Sequence, residues 1–201
     1  MENYYKEGEE KFGFLSSKLY LLAEKIPALS KFYRFVTQDL ESKTFKSLLD
    51  VGFGTGSVIY QLSKNNKLYL YGVDPSPYMV SIAKKRTYTN PNVTFAVGSS
   101  TYIPFDKKFD IIISSLSMHH WNDKKGSLIY LSKFLEDGGE IDIYEFLLSK
   151  GKSLSEHFEY YAAKSHMVSK TQLEAYGEEA GLSTNIKVKG NLIKATYKLQ
   201  L

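Results

Sequence analysis

The chain contains no cysteine among its 201 residues, and this absence excludes several kinds of chemistry. Without thiols the protein forms no disulfide, binds no metal through thiolates and has no cysteine nucleophile. The length suits one domain, and it is large enough for a substantial hydrophobic core.

Long apolar runs are absent as well. No stretch of about 18 apolar residues occurs, so we expect no membrane-spanning helix. Residues 1–7 are charged rather than apolar, which argues against a secretory signal. Hydrophobic residues make up 43% and charged residues 24% of the chain, the mixture of an ordinary soluble globular protein. We therefore expect a cytoplasmic protein.

Charge of one sign is not concentrated in any segment. The net charge is +4, and the lysines are scattered along the chain. The longest basic run, residues 84–86, ends a predicted helix, where cations interact favourably with the helix dipole. We interpret this run as a solvated helix end rather than as a nucleic-acid patch.

Predicted strands and helices alternate from residue 47 onwards. The predicted strands are residues 47–51, 68–73, 93–97, 109–113 and 140–146. The predicted helices between them are residues 56–64, 77–86 and 124–135. This alternation predicts a mostly parallel sheet with helices on both faces.

The segments on either side of this alternation have other patterns. Apolar residues at helical spacing predict two helices before residue 46, with Pro27 between them. Residues 149–168 form an aromatic-rich insertion. Ser169 begins a helix with a capping box, and residues 184–199 predict a β-hairpin.

A glycine-rich turn after the first predicted strand is the most informative feature of the sequence. Residues 48–56 read LLDVGFGTG, a short apolar run that ends in a carboxylate and three glycines at alternate positions. Glycine adopts backbone angles closed to other residues and lets a ligand contact the main chain. The turn follows the carboxyl end of a strand, where open α/β sheets bind ligands. We therefore expect a nucleotide-like cofactor there.

The spacing of the glycines indicates which cofactor binds. A dinucleotide fingerprint requires glycines at positions 52, 54 and 57, but this chain has Ser57 and its third glycine is Gly56. Asp50 is a poor neighbour for a pyrophosphate and suits a cationic ligand better. Residues 50–56 resemble motif I of the class I S-adenosylmethionine-dependent methyltransferases, whose cofactor carries an ammonium group, a sulfonium and no phosphate.

The resemblance covers residues 47–146 and implies a Rossmann-like, doubly wound α/β fold. The expected sheet has seven mostly parallel strands with an antiparallel hairpin at its C-terminal end. We predict one domain, with a helical cap (residues 1–46), a cofactor-binding core (47–146), and a substrate-side insertion, helix and terminal hairpin (147–201). The implied cofactor is S-adenosylmethionine, and the implied product is S-adenosylhomocysteine.

The resemblance implies cofactor-binding roles for individual residues of this sequence. Asp74, at the end of the second strand, matches the acid that receives the ribose hydroxyls, although a helix N-cap is the structural alternative. Core packing is an equal alternative for Met79. Ser99 stands where the family usually has an acid that receives the adenine amino group. The implied cofactor site comprises Asp50, Gly52, Phe53, Gly54, Gly56, Asp74, Pro75, Met79, Ser99, Ser100 and Ser115.

A histidine pair follows the fourth strand, in the segment SSLSMHHW at residues 114–121. The Asn/Asp-Pro-Pro-Tyr signature of enzymes that methylate exocyclic base amines is missing, and the missing cysteine disfavours methylation at C5 of pyrimidines. The pair resembles the type 11 branch, close to ubiquinone and menaquinone C-methyltransferases. Histidine exchanges protons near neutral pH, so we predict His119 or His120 as a base, with packing and backbone hydrogen bonding as the alternative. No third ligand stands at metal-binding spacing.

Aromatic residues near both ends of the core are candidates for substrate contacts. Tyr4 and Tyr5 precede the first helix, Tyr160 and Tyr161 lie in the insertion, and Trp121 follows the histidines. A lid made from such side chains excludes water from the reaction, although ordinary amphipathic packing is an alternative. We interpret Asp110 as structural rather than catalytic. Glu145 is either a structural hydrogen-bonding group, which we favour, or part of the substrate floor.

The sequence favours transfer of a methyl group to an oxygen, nitrogen or carbon atom of a small molecule. RNA or protein remains an alternative acceptor. Two other functions remain open at this point: a nicotinamide-dependent oxidoreductase, disfavoured by Ser57, and a module that binds the cofactor without turnover.

Overall fold

The computed structural model describes residues 26–147 and 168–200. Its helices are α1 (Pro27–Glu41), α2 (Ser57–Leu62), α3 (Pro77–Arg86), α4 (Lys124–Ser132) and α5 (Lys170–Glu179). Its strands are β1 (Ser47–Val51), β2 (Tyr69–Asp74), β3 (Val93–Val97), β4 (Phe109–Ser115), β5 (Leu135–Phe146), β6 (Leu182–Lys189) and β7 (Leu192–Leu199).

The strands form one seven-stranded sheet in the order β3-β2-β1-β4-β5-β7-β6. The first five are parallel, and β7 is antiparallel to both β5 and β6. This arrangement confirms the predicted fold class, including the terminal hairpin. The strand order reverses at β1, which has β2 on one side and β4 on the other, so a crevice opens between their carboxyl ends.

The core has two layers because the sheet is covered on both faces. Helices α1, α2 and α3 pack on one face through residues such as Phe32, Ile59 and Met79. Helices α4 and α5 pack on the other face through Leu128 and Leu173. Strand β1 is buried along its whole length between these layers, which is why its sequence after Ser47 is apolar apart from Asp50.

Local sequence signals define where several helices and strands begin or end. Pro27 is at the first turn of α1, where its missing N–H costs nothing. Ser169 and Gln172 form the predicted capping box at the start of α5. The hairpin turns at residues 190–191 as predicted, with Gly190 at φ +65°.

Strand β5 departs from the prediction. A helix was predicted over residues 124–135 and a strand over 140–146, but the helix ends at Ser132. The strand begins at Leu135 and includes residues 136–139. The pairing with β4 shifts from Phe109↔Leu135 to Ile111↔Glu140, so these residues form a bulge inside the strand. A Cβ on Gly139 would lie 2.9–3.1 Å from three carbonyl oxygens, which explains the glycine.

A buried ionic network attaches α1 to the sheet. Asp39 accepts hydrogen bonds from Lys194 Nζ at 2.6 Å and from Tyr144 Oη at 2.8 Å. Lys43, just after α1, pairs with Asp142, whose side chain is fully buried. Burial raises the pKa of Asp39, but the bonds from Lys194 and Tyr144 outweigh it and lower that pKa below the usual value. The network therefore holds α1 against β5 and β7.

The first predicted helix lies outside the described residues. None of the helices within residues 26–147 and 168–200 is long and apolar enough to cross a membrane.

Candidate active site

A cavity of about 410 Å³ lies in the crevice between the carboxyl ends of β1, β2 and β4. Its walls come from the glycine-rich turn, the start of α3, the loop after β3, the segment after β4, and α1. The lining residues are Leu29, Tyr33, Val51, Gly52, Phe53, Gly54, Asp74, Pro75, Ser76, Met79, Ser99, Ser100, Ser115, Leu116, Ser117, His119, His120, Trp121 and Phe146.

The glycine-rich turn forms one wall with its backbone. Gly52, Gly54 and Gly56 have φ angles of +76°, +57° and +76°, which side chains rarely allow. A Cβ on Gly52 would lie 1.9 Å from Ser117 Oγ, and a Cβ on Gly56 would lie 2.9 Å from Ala83 Cβ. Without a side chain at Gly52, its main chain stays exposed to the cavity. Without a side chain at Gly56, α2 packs closely on α3.

Asp74 ends β2 and faces the cavity. Its carboxylate accepts backbone N–H bonds from Gly54 at 2.9 Å and from Ser76 at 2.8 Å. Burial raises the pKa of Asp74 to about 7 even though both bonds act in the opposite direction. The N-cap of α3 is Ser76, which accepts a bond from Met79 N, so the N-cap alternative for Asp74 is wrong.

Asp50 lies in β1 behind the glycine-rich turn and is 1% exposed. Neither carboxylate oxygen has a hydrogen-bond partner in the described part of the chain. Burial, reinforced by the nearby charge of Asp74, raises the pKa of Asp50 to about 8. A buried carboxylate without a partner is costly, and a cationic group or a hydrogen-bond donor near the turn would relieve that cost.

The segment after β4 brings the histidines over the cavity. Leu116 has a left-handed φ of 52°, which is unusual for a residue with a branched side chain and turns the chain sharply out of the strand. A short 3₁₀ turn, Met118–His120, follows. The rings of His119 and His120 are 4.0 Å apart between centroids, and both line the cavity.

His119 is held by a buried acid. Its Nδ1 lies 3.0 Å from Glu145 Oε2, and its backbone N–H donates to Glu145 Oε1 at 3.4 Å. The Glu145 side chain is fully buried, and that of His119 is 8% exposed. The structure thus gives Glu145 a specific partner at the cavity.

The comparison with known families agrees with this architecture. A family model described as a methyltransferase domain, of type 11, matches residues 49–143, from β1 into β5. Residues 49–143 form a domain of this methyltransferase family.

Curated relatives of the methyltransferase domain match part of their own length. An uncharacterized methyltransferase of Alkaliphilus oremlandii is 35% identical over 97 residues, which are 47% of this chain and 43% of that protein. A phosphoethanolamine N-methyltransferase of Triticum aestivum is 29% identical over 141 residues, 69% of this chain and 28% of that protein. The chain therefore spans less than half the length of either relative.

A solved structure supports the fold of the methyltransferase domain. Human N-acetylserotonin methyltransferase, in complex with S-adenosylmethionine, superposes with a TM-score of 0.74 at 18% sequence identity. The superposition covers 94% of this chain and 57% of the human chain. At this level of identity the likeness concerns the fold alone.

Most of the predicted cofactor positions of the methyltransferase domain meet at the cavity. Those that line it are Gly52, Phe53, Gly54, Asp74, Pro75, Met79, Ser99, Ser100 and Ser115. Asp50 and Gly56 lie behind the wall instead. Met79 belongs to the core on α3 and also lines the cavity, and its contact with a cofactor stays a prediction.

The predicted substrate residues divide into two groups. Trp121 lines the cavity and is 5% exposed. The tyrosines predicted to form a lid, Tyr4, Tyr5, Tyr160 and Tyr161, lie outside the described residues, so their role stays a prediction.

Five further apolar residues line the cavity but were not predicted from the sequence as site residues: Leu29, Tyr33, Val51, Leu116 and Phe146. Leu29 belongs to the apolar stripe of α1, so its helical spacing was the available signal. Asp110, in contrast, is structural as predicted, because it accepts bonds from the backbone N–H groups of Lys46 and Ser47 at the start of β1. Within residues 26–147 and 168–200, no three potential ligands group to hold a metal.

Proposed function

We propose that the protein transfers a methyl group from S-adenosylmethionine to a small-molecule acceptor. The observation that carries this proposal is the pair of buried acids at the glycine-rich turn. Both have raised pKa values; Asp74 faces the crevice and Asp50 lies buried behind its wall. No lysine or arginine that could bind a phosphate is among the described lining residues. Such a site suits a ligand with ammonium and sulfonium charges.

The residues around the cavity fit this cofactor. Asp74 accepts its two backbone bonds on different oxygens, and each oxygen retains a further lone pair for ribose hydroxyls. Pro75 and Met79 supply apolar contact for the adenine, and Ser99 and Ser100 supply hydroxyls near it. The exposed backbone of Gly52 and Gly54 receives the amino acid end of the cofactor.

S-adenosylmethionine supplies an activated methyl group on its sulfonium. The protein's own contribution is therefore mostly positioning and exclusion of water. The histidine pair and Trp121 form the part of the cavity proposed for the acceptor, together with Leu29, Tyr33 and Phe146. A partly apolar cavity of about 410 Å³ suits a small molecule. The names of the wheat and human relatives, whose acceptors are small, support the same assignment.

Calorimetric titration tests the proposal. We expect S-adenosylmethionine and S-adenosylhomocysteine to bind with 1:1 stoichiometry and NAD not to bind. Binding of NAD in place of both compounds would support the oxidoreductase alternative. Release of S-adenosylhomocysteine over a panel of small metabolites then separates an enzyme from a module that binds without turnover.

A further inference from the structure

The contact between Glu145 and His119 determines which nitrogen of the imidazole meets the cavity. An ionised carboxylate only accepts hydrogen bonds, so Nδ1, at 3.0 Å, carries the proton when the ring is neutral. Any proton that the ring exchanges with a molecule in the cavity then passes through Nε2. The bond to the His119 backbone N–H holds the 3₁₀ turn at the same time.

The position of Glu145 is energetically unfavourable for an acidic side chain. It lies in β5 beside β7, opposite Ile193 in the strand pairing, and its side chain is fully buried. An apolar residue would fill this place at lower cost, since burial of a carboxylate is compensated only by its partners. A charged group near it in the described part of the chain is Lys124, whose Nζ donates to the Trp121 carbonyl at 2.7 Å. Holding His119 is therefore the specific task of Glu145.

The charges around the cavity restrict the acceptor. Among the described residues that line it, none is a lysine or an arginine, and the acidic residue Asp74 lies in the wall. A phosphate or carboxylate on the acceptor would find no lysine or arginine among these residues to compensate its charge. The wall near the histidines is apolar, with Leu29, Leu116 and Phe146. An uncharged acceptor with an apolar body fits this surface.

We propose that the acceptor is an uncharged molecule with an acidic hydroxyl, such as a phenol or an enol, and that Glu145 positions His119 to deprotonate it. This assignment rests on the proposed methyl transfer. The hydroxyl proton passes to Nε2 as the oxygen forms its bond to the methyl carbon, and the electron pair of the broken carbon–sulfur bond stays on sulfur. The proton then leaves the imidazole for solvent.

A series of phenols of decreasing acidity tests the role of His119. The probes are 4-nitrophenol, phenol and 4-methoxyphenol, and the measured quantity is kcat/KM for each. In His119→Ala we expect a loss of about 10²–10⁴-fold for the two weaker acids, and a much smaller loss for 4-nitrophenol because it is largely ionised in solution. An equal loss for all three phenols would overturn the assignment.

The Glu145→Gln variant tests the positioning role. Glutamine keeps the size and an acceptor oxygen for Nδ1–H but removes the charge that stabilises the imidazolium. We expect kcat to fall with KM nearly unchanged, and the acidic limb of the pH–rate profile to move to lower pH. Asp110→Asn is the matched control, since it also replaces a structural carboxylate, and its acidic limb stays in place. An unmoved limb in Glu145→Gln would leave Glu145 with a structural role only.

A binding measurement provides a readout that does not depend on turnover. In the presence of S-adenosylhomocysteine and below neutral pH, 4-nitrophenol should show its phenolate absorbance band on binding to the wild-type protein. The band should be absent with His119→Ala, because Nε2 of His119 is the atom that accepts the proton. A band of equal strength in both proteins would contradict proton transfer to His119.

The outcomes separate this inference from the proposed function. If S-adenosylhomocysteine binds but no phenol is bound or methylated, the acceptor class is wrong and the methyltransferase assignment stands. If neither S-adenosylmethionine nor S-adenosylhomocysteine binds, the proposed function itself fails. Methylation of phosphoethanolamine, tested as a charged counter-probe, would overturn the exclusion of phosphorylated acceptors.

Discussion

Gly52 shows at the scale of one residue how the turn depends on the absence of a side chain. It has φ +76°, and an added Cβ would lie 1.9 Å from Ser117 Oγ. Both the backbone angle and the contact oppose any side chain. Because Ser117 also lines the cavity, a displaced Ser117 would disturb the segment that carries the histidines.

We expect Gly52→Ala to weaken S-adenosylmethionine binding at least about tenfold, since even 1.4 kcal/mol of strain or displacement has that effect. Calorimetry measures the affinity. Gly190→Ala is the control, because Gly190 also has a positive φ but a Cβ there meets nothing within 4 Å. It should reduce stability slightly and leave binding intact. An affinity of Gly52→Ala for S-adenosylmethionine equal to that of the wild-type protein would contradict the proposed cofactor site.

Asp50 predicts a pH dependence of stability. Burial raises its pKa from the ordinary 3.8 to about 8, so between these values the folded protein holds a proton that the unfolded chain has lost. The contribution of Asp50 to stability is fully present below the lower value and is lost as the pH rises through the higher one. We expect the free energy of unfolding of Asp50→Asn to fall less steeply with rising pH. Urea denaturation of the ligand-free proteins across this range measures it, and parallel curves would contradict the prediction.

The same protonation affects ligand binding with the opposite sign. A cationic ligand favours the ionised carboxylates, so affinity for S-adenosylmethionine should rise with pH until Asp50 and Asp74 are ionised. The rise is at most about tenfold per pH unit for each proton released. S-adenosylhomocysteine lacks the sulfonium charge and should show a weaker dependence. Calorimetry at several pH values distinguishes the two ligands.

Part of the site could be predicted because the position of some residues follows from the sequence immediately around them. Asp74 and the glycines follow strands, and parallel strands bring their carboxyl ends to one edge of the sheet. The partnership of Glu145 with His119 was not visible in this way. It depends on β5 lying beside β4, where Ser115 pairs with Tyr144, and such a neighbour relation is a property of the folded sheet.

At the scale of elements, the ion pairs that attach α1 to the sheet differ in burial, so we expect them to contribute unequally to stability. Lys194 is almost fully buried and pairs with Asp39 and Asp142, whereas Lys198 is 51% exposed and pairs with Glu140. Both lysines lie on β7. The pair therefore offers a matched test of burial.

We expect Lys194→Met to lower the free energy of unfolding by about 3–5 kcal/mol, because it leaves buried carboxylates without one of their cations. Lys198→Met should cost about 0–1 kcal/mol, since an exposed ion pair is screened by solvent. Urea denaturation measures both. Similar losses in the two variants would show that burial does not control the strength of this network.

The boundaries of the elements were largely predictable, and the exceptions have physical causes. Strands β1 and β3 and helix α3 match their predicted ranges because apolar periodicity and Pro77 define them. The start of β5 was misplaced because Gly138 and Gly139 have the local chemistry of a turn. Only the continued pairing with β4 on both sides of the bulge keeps these residues in the strand.

At the scale of the whole molecule, the described ranges pack as one unit. Helix α1 contributes Phe32, Val36 and Leu40 to the same core layer as α2 and α3. We therefore expect helix α1 and the sheet to unfold together, with equal calorimetric and van't Hoff enthalpies. Scanning calorimetry measures this ratio. Two resolved transitions would contradict the single domain that the sequence predicts.

The position of β7 inside the sheet also has a consequence for biosynthesis. Strand β6 is made first but lies outside β7, so it has no place on the sheet until β7 pairs with β5. The backbone edge of β5 therefore stays uncovered until residues 192–199 have emerged from the ribosome, and the hairpin then docks as a unit. A nascent chain stalled before that point presents an open strand edge, which is a template for aggregation.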